Sequence, residues 1–258
     1  MKNRYDRQKL LSGFGDKGQE ALERASVLII GAGGLGSPAS LYLAGAGIGR
    51  IGIVDGDTVN PTNLHRQILY DESKCGMNKT ECAAERLRSL NSGITVTPYP
   101  FMLDRDNAME LISGYDIVID GCDNFPTRYL VSDICERLGK TYVYGAVSDT
   151  SGFVSVLCLK DPAKGRMWTY RDLFPEELAD GELSTEELST GELAAEPSAE
   201  KQPAASKASK AVLGPVPGIT GCCQAAEAIK LICGIGTLLC GRLWIYDALS
   251  GTADTVEL

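Results

Sequence analysis

An apolar run that flows directly into glycines, Val27-Leu28-Ile29-Ile30-Gly31-Ala32-Gly33-Gly34-Leu35-Gly36, constrains this chain more than any other stretch. The run does not alternate apolar with polar residues, which fits a parallel strand covered on both faces. Gly31, Gly33 and Gly36 fit a G-x-G-x-x-G turn, and Gly34 adds a further position without a side chain. Such a turn lets backbone N–H groups approach a phosphate, and the positive end of the next helix completes an anion site. That helix is predicted over about 37–46, with Pro38 in its first turn, where a missing N–H costs nothing. A second strand, 50–54, ends in Asp55, nineteen residues after Gly36, and an acid there typically takes a ribose hydroxyl. The first expectation is a nucleotide held by a Rossmann-like α/β fold.

The residues after Asp55 bear on which nucleotide. Asp57 follows, then Asn63-Leu64-His65-Arg66-Gln67, and Lys79 after a short loop. A dinucleotide site has no need of such a polar and cationic cluster beside its pyrophosphate. A triphosphate does, because Arg and Lys neutralise phosphate oxygens as charge moves in the reaction. ATP is therefore expected ahead of NAD. Lys79 also falls in the first turn of a predicted helix, 78–90, where the helix dipole disfavours a cation. An anion nearby would explain it.

Further strands are predicted near 94–99, 116–120, 142–147 and 153–159, with helices near 18–25, 106–112, 127–138 and 219–233. Closing strands are expected at 243–246 and 252–256. The fourth strand runs into Gly121-Cys122-Asp123-Asn124, which places Asp123 at the carboxyl edge where open α/β sheets hold ligands. A helix cap is the plain reading of Asn124 and competes for Asp123. The predicted architecture is one α/β domain over 1–258. Its sheet is mostly parallel and flanked by helices, with antiparallel strands at the C-terminal end. Residues 176–210 hold nine acids against three lysines and few large apolar residues, so they read as a flexible acidic insertion.

With 258 residues, 44% hydrophobic and 23% charged, the chain has the composition of a soluble globular protein. It shows no N-terminal signal and no apolar run near the ~18 residues of a membrane span, so a cytoplasmic, non-membrane protein is expected. Nine cysteines, an odd number lying within predicted helices and strands, fit a reducing compartment. The net charge of −9 gives nucleic-acid binding no support, since that draws on Lys and Arg.

Taken together, Arg4-Tyr5-Asp6-Arg7-Gln8, the glycine turn, Asp55-Gly56-Asp57-Thr58-Val59, Asn63 to Gln67, Lys79, Asp123-Asn124, Gly214-Pro215 and Glu227-Ala228-Ile229-Lys230 resemble the MoeB/ThiF/HesA group. These are bacterial relatives of ubiquitin-activating enzymes, and the resemblance covers the chain apart from 176–210. It implies adenylation of the C-terminal Gly-Gly carboxylate of a small ubiquitin-like sulfur carrier protein, with ATP and Mg²⁺ and release of pyrophosphate. The setting would be thiamine, molybdopterin or related sulfur transfer. By the same resemblance Asp55 holds the ribose, and the turn at Gly31, Gly33, Gly34 and Gly36 approaches the phosphates. Asn63, Arg66 and Lys79 bind the triphosphate and stabilise charge at the α-phosphate. Asp123 holds Mg²⁺, and Asp57 and Asn124 complete the nucleotide site. Arg7 is implied to reach across a homodimer interface into the partner's site; without that role it is a solvated charge.

The chain departs from the group in two respects. Where relatives carry the first of two zinc-binding Cys-x-x-Cys pairs, Thr169 and Asp172 stand, and no pair of such knuckles occurs, so no zinc is expected. The cysteine that relatives use for covalent transfer has no counterpart between Cys158 and Cys222. Cys222 and Cys223 read as buried small residues beginning a helix, and Cys122 as packed. Direct attack on the acyl-adenylate by a sulfur donor protein or a separate partner is then implied. His65, the sole histidine, is not needed as a base because the nucleophile is already a carboxylate. Two alternatives remain: adenylation of another carboxylate or a tRNA base, and a non-catalytic scaffold that binds a carrier.

Overall fold

The computed structural model describes residues 4–161, 164–175 and 211–258. The expected insertion at 176–210 lies outside them. The strands are β1 (Ser26–Ile30), β2 (Arg50–Val54), β3 (Thr95–Tyr99), β4 (Ile117–Asp120), β5 (Thr141–Ser148), β6 (Ser151–Leu157), β7 (Arg242–Asp247) and β8 (Thr252–Glu257). They form one sheet in the order β3-β2-β1-β4-β5-β6-β7-β8. The first five are parallel and the last three antiparallel, the mostly parallel Rossmann-like sheet that the sequence predicts. The helices are α1 (Asp6–Lys9), α2 (Gly15–Arg24), α3 (Gly36–Ala46), α4 (Lys79–Leu90), α5 (Ala108–Ser113), α6 (Phe125–Leu138), α7 (Tyr170–Leu173) and α8 (Pro215–Cys233).

All five residues of β1 are buried. Val27 and Ile29 pack on one face with Ile51, Ile53, Leu43, Leu87 and Ala228, from β2, α3, α4 and α8. Leu28 and Ile30 pack on the other with Val118, Ile112, Val131 and Tyr142. Two cores therefore sandwich the sheet, which is why β1 is apolar without alternation. The edge strand β8 is exposed throughout and its polar residues, Thr252, Asp254, Thr255 and Glu257, suit an uncovered edge.

Helix ends follow their local chemistry. α3 stops at Gly47 and α6 at Gly139, both left-handed (φ +89° and +62°). α8 begins at Pro215, a turn earlier than the predicted start near 219, because a proline in a first turn loses no hydrogen bond. The short α1 and α7 have too few residues for a periodic signal.

The carboxyl ends of β1 and β4 meet where the strand order turns from β1 to β4. Gly121 N–H donates to the Ile30 carbonyl at 2.7 Å. A side chain at Gly31 (φ +91°) would collide with the Gly121 carbonyl, and one at Gly121 would lie 2.6 Å from the Gly31 carbonyl. A Cβ at Gly36 would also strike the Gly31 carbonyl. Gly121→Ala is expected to lower the unfolding free energy by about 1–3 kcal/mol through overpacking. Gly45→Ala, in α3 with nothing within 4 Å, is expected to leave it unchanged or raise it by about 0.5–1 kcal/mol. Urea unfolding measures both, and equal effects would contradict this packing.

Candidate active site

A cavity of about 440 Å³ opens at this junction, lined by Gly31, Gly33, Gly34, Asp55, Asp57, Arg66, Lys79, Asp123 and Asn124, among others. The crevice where strand order reverses, beyond the carboxyl ends of the strands, is where open α/β sheets bind ligands. Its floor is the glycine turn. Asp55 ties that turn to β2: its Oδ2 accepts from Ala32 N–H and its Oδ1 from Asp57 N–H, both at 2.8 Å. Tyr70 donates its hydroxyl to the Ala32 carbonyl at 2.8 Å, fixing the turn from another side.

Lys79 is 5% exposed, a low value for a lysine, and its Nζ lies 2.8 Å from Asp57 and 3.9 Å from Asp55. The anion expected near this cation is thus supplied first by the chain itself. Two carboxylates hold the ammonium at the cavity wall against both burial and the helix dipole. Arg66 lies beside the turn, its Cδ 3.6 Å from a Cβ placed on Gly34, with Nη1 2.7 Å from His65 Nε2. His65 is exposed and serves as a neighbour to Arg66.

On the β4 side, Asn124 caps α6, its Oδ1 accepting from Thr127 N–H at 3.0 Å. Its amide nitrogen donates to Asp123 Oδ1 at 3.2 Å. The cap reading therefore holds for Asn124, whereas Asp123 makes no cap and faces the cavity as an exposed carboxylate. One lysine held by aspartates, one arginine and one open carboxylate around backbone N–H groups form a site for a polyanion with room for a cation.

Sequence reasoning missed the frame behind this site. Asp120 is fully buried and accepts from Arg128 Nε at 3.1 Å. Arg128 Nη2 also donates to the Cys122 carbonyl at 2.6 Å and the Gly145 carbonyl at 3.3 Å. Gln224 of α8 donates to the carbonyls of Asp120 at 2.7 Å and Val143 at 3.0 Å. These contacts clamp the loop that presents Asp123. The only signal in the sequence was an acid ending an apolar strand and an arginine one turn inside the next helix. Gln67, the last residue of the Asn63 to Gln67 stretch, is buried and also lines the cavity.

The ThiF family model matches residues 5–258. The chain belongs to the ThiF family. It is 42% identical to the sulfur carrier protein adenylyltransferase of Thermus thermophilus, over 97% of this chain and 84% of that one. It is 43% identical to the adenylyltransferase and sulfurtransferase MOCS3-1 of Zea mays, over 99% of this chain but only 49% of that protein. The chain thus spans about half the length of the MOCS3 relatives. It is 38% identical to the SAMP-activating enzyme E1 of Haloferax volcanii, over 98% of this chain and 84% of that one. The crystal structure of E. coli MccB with ATP shares the fold, with a TM-score of 0.72 at 24% identity, over 100% of this chain and 72% of that one.

Three candidate residues stand outside the cavity lining. Gly36 packs beneath the turn. Asn63 lies in a 3-10 turn whose carbonyl accepts from the N–H groups of Arg66 and Gln67 at 3.0 and 2.9 Å. Arg7 is exposed on α1. Its neighbours fasten that helix: Gln8 donates to Gln19 and to the Ala46 carbonyl, and the Tyr5 hydroxyl accepts from Asn91 at 2.9 Å.

Cys222 and Cys223 are half-buried, not buried, and lie a turn or more inside α8 because that helix starts early. Burial still pushes the Cys223 thiol up to about 12 and raises that of Cys222. Cys122 is packed, and burial with Asp120 alongside raises its thiol well above the usual range. None has the lowered pKa of an activated nucleophile. At the corner where relatives were expected to carry cysteines, Thr169 N–H and hydroxyl both donate to Asp172 at 2.8 Å.

Replacing Arg128 with Met strands a buried carboxylate and is expected to cost about 3–5 kcal/mol of unfolding free energy. Asp123→Ala, at an exposed position, is expected to stay within about 0.5 kcal/mol of the parent. Urea unfolding of both variants separates the frame from the site; comparable losses would contradict this division.

Proposed function

We propose that this chain is an ATP-dependent adenylyltransferase that activates the C-terminal Gly-Gly carboxylate of a small ubiquitin-like sulfur carrier protein. The observation that carries the reading is the convergence of Lys79, Arg66 and Asp123 on one glycine turn at the sheet's switch point. The names of the Thermus and Haloferax relatives point the same way. All nine cysteines are free, and no helix among the described residues is long and apolar enough to cross a membrane, which fits our placing of the protein in the cytoplasm. We treat residues 1–258 as one adenylation domain with 176–210 inserted in it.

In this reading a carboxylate oxygen of the carrier attacks the α-phosphorus of ATP, the bond to the bridging oxygen breaks, and pyrophosphate leaves. Both reactants are anionic, so the residues act by positioning and by neutralising charge. Asp55 binds the ribose with the lone pairs it has left, and the turn at Gly31, Gly33 and Gly34 meets the phosphates. Arg66, Lys79 and Asn63 take the triphosphate oxygens. Asp57 keeps Lys79 aimed, and Asn124 orients Asp123.

Asp123 is suited to Mg²⁺, which is commonly held by one or two carboxylates together with phosphate oxygens. No cluster of three or more metal-ligating side chains exists among the described residues, so its other ligands would be nucleotide and water. When bound, the ion would neutralise phosphate charge. Arg7, exposed on a fastened helix, is assigned to the partner's site in a homodimer. The inert thiols favour direct attack on the acyl-adenylate by a sulfur donor.

ATP–pyrophosphate exchange with a panel of Gly-Gly-ending carriers is expected to appear with at least one carrier and to be lost in Asp123→Ala. Exchange that persists in that variant would contradict the assignment of Asp123. Arg7→Ala and Asp123→Ala proteins, each inactive alone, are expected to regain activity when mixed, since one site of the mixed dimer keeps both residues. No recovery despite subunit exchange would contradict the cross-subunit role of Arg7.

A further inference from the structure

We propose that Tyr70 is a positioning residue of the nucleotide site, its buried hydroxyl fixing the Ala32–Gly33 peptide so that the Gly33 N–H faces the cavity. This rests on the adenylation reading only in that ATP is the ligand. Tyr70 is 7% exposed, and its hydroxyl donates to the Ala32 carbonyl at 2.8 Å. A trans peptide is planar, so the carbonyl of one residue and the N–H of the next point in opposite directions. No cis peptide occurs among the described residues. With the Ala32 carbonyl turned toward Tyr70, the Gly33 N–H points away from it. Gly33 lines the cavity and Tyr70 does not.

The neighbouring bonds single this peptide out. Gly31 N–H donates to the Val54 carbonyl and Ala32 N–H to Asp55 Oδ2, both at 2.8 Å. Gly33 comes next, and its N–H meets no acceptor among the described residues. It is therefore the first donor of the turn left for an anionic ligand. The Gly33 carbonyl accepts from Ser37 N–H at 3.0 Å, which ties the far side of the residue to α3. What remains is rotation of the Ala32–Gly33 peptide itself. Glycine takes positive and negative φ about equally, so Gly33 does little to resist that rotation. A turned peptide would offer the phosphates a carbonyl in place of a donor. The Tyr70 hydroxyl opposes the turn, because a carbonyl moved away would strand a buried donor. That donor is constant: burial first, and then the charge of Asp55, hold the phenol above its usual range, so it keeps its proton. The side chain is itself fixed. Tyr70 N–H donates to the Gln67 carbonyl at 3.3 Å, and the ring packs in the core that contains Ala32 and Cys82.

The test is calorimetric binding of ATP and of adenosine to the intact protein and to Tyr70→Phe. Phe keeps the ring and removes only the hydroxyl. ATP affinity is expected to fall about ten-fold, the worth of one hydrogen bond to a charged oxygen, with adenosine affinity unchanged. A merely structural loss would weaken both ligands alike. NMR of the ¹⁵N-labelled parent gives a second measurement that does not depend on the variant folding. ATP is expected to move the Gly33 amide proton downfield and to move the Ala32 amide, already bonded to Asp55, much less. In folded Tyr70→Phe the Gly33 displacement is expected to shrink. Unchanged ATP affinity in Tyr70→Phe overturns the proposal, as does an equal loss for ATP and adenosine. So does a Gly33 amide that stays in place while the parent binds ATP. A parent protein that binds no ATP overturns the adenylation reading along with it. A parent that binds ATP while Tyr70→Phe matches it overturns only the role of Tyr70.

Discussion

The site depends on a backbone contact between two glycines. Gly31 and Gly121 follow the neighbouring strands β1 and β4 directly, and each would drive a Cβ into the other's carbonyl. Because neither has one, the two strand ends stay close while their following loops part toward opposite helices. The parting makes the crevice, with the glycine turn on one lip and the Asp123 loop on the other. Gly36, packed on the Gly31 carbonyl, lets α3 start immediately behind the turn and point its N-terminal dipole at the opening.

Around that crevice the charges are arranged in two tiers. Asp120 and Arg128 are buried partners that hold the loop by its carbonyls, and their charges are consumed within the frame. Lys79 and Asp57 are partners at the wall, where an incoming phosphate can share the ammonium. Asp123 is left with one amide contact, the least committed carboxylate at the opening. Such an order lets one small site contain several acids and still receive a polyanion. The acids nearest the turn are occupied by N–H groups or by lysine, so little uncompensated negative charge faces the ligand.

Much of this was legible in the sequence, for identifiable reasons. β1 declared itself through unbroken apolarity, because both its faces are covered. The turn declared itself through glycines that close backbone approach requires. Lys79 was out of place for a helix start, and that misfit correctly signalled anions, although the first of them are Asp57 and Asp55. The Asp120–Arg128 clamp was hidden because its partners meet through the bend between β4 and α6, which no periodicity encodes. Gln67 was hidden for a different reason: a glutamine between an arginine and an isoleucine looks ordinary until its burial is seen. The early start of α8 was obscured by two prolines and a glycine, residues that read as loop unless they fall in a first turn.

The most direct measurement is the intact mass of a Gly-Gly-ending carrier after a single turnover with this protein and Mg²⁺-ATP, with the phosphate products identified alongside. The account predicts a carrier heavier by one adenylyl group and pyrophosphate as the co-product. Consumption of ATP to ADP and phosphate, with the carrier's mass unmoved, would contradict it.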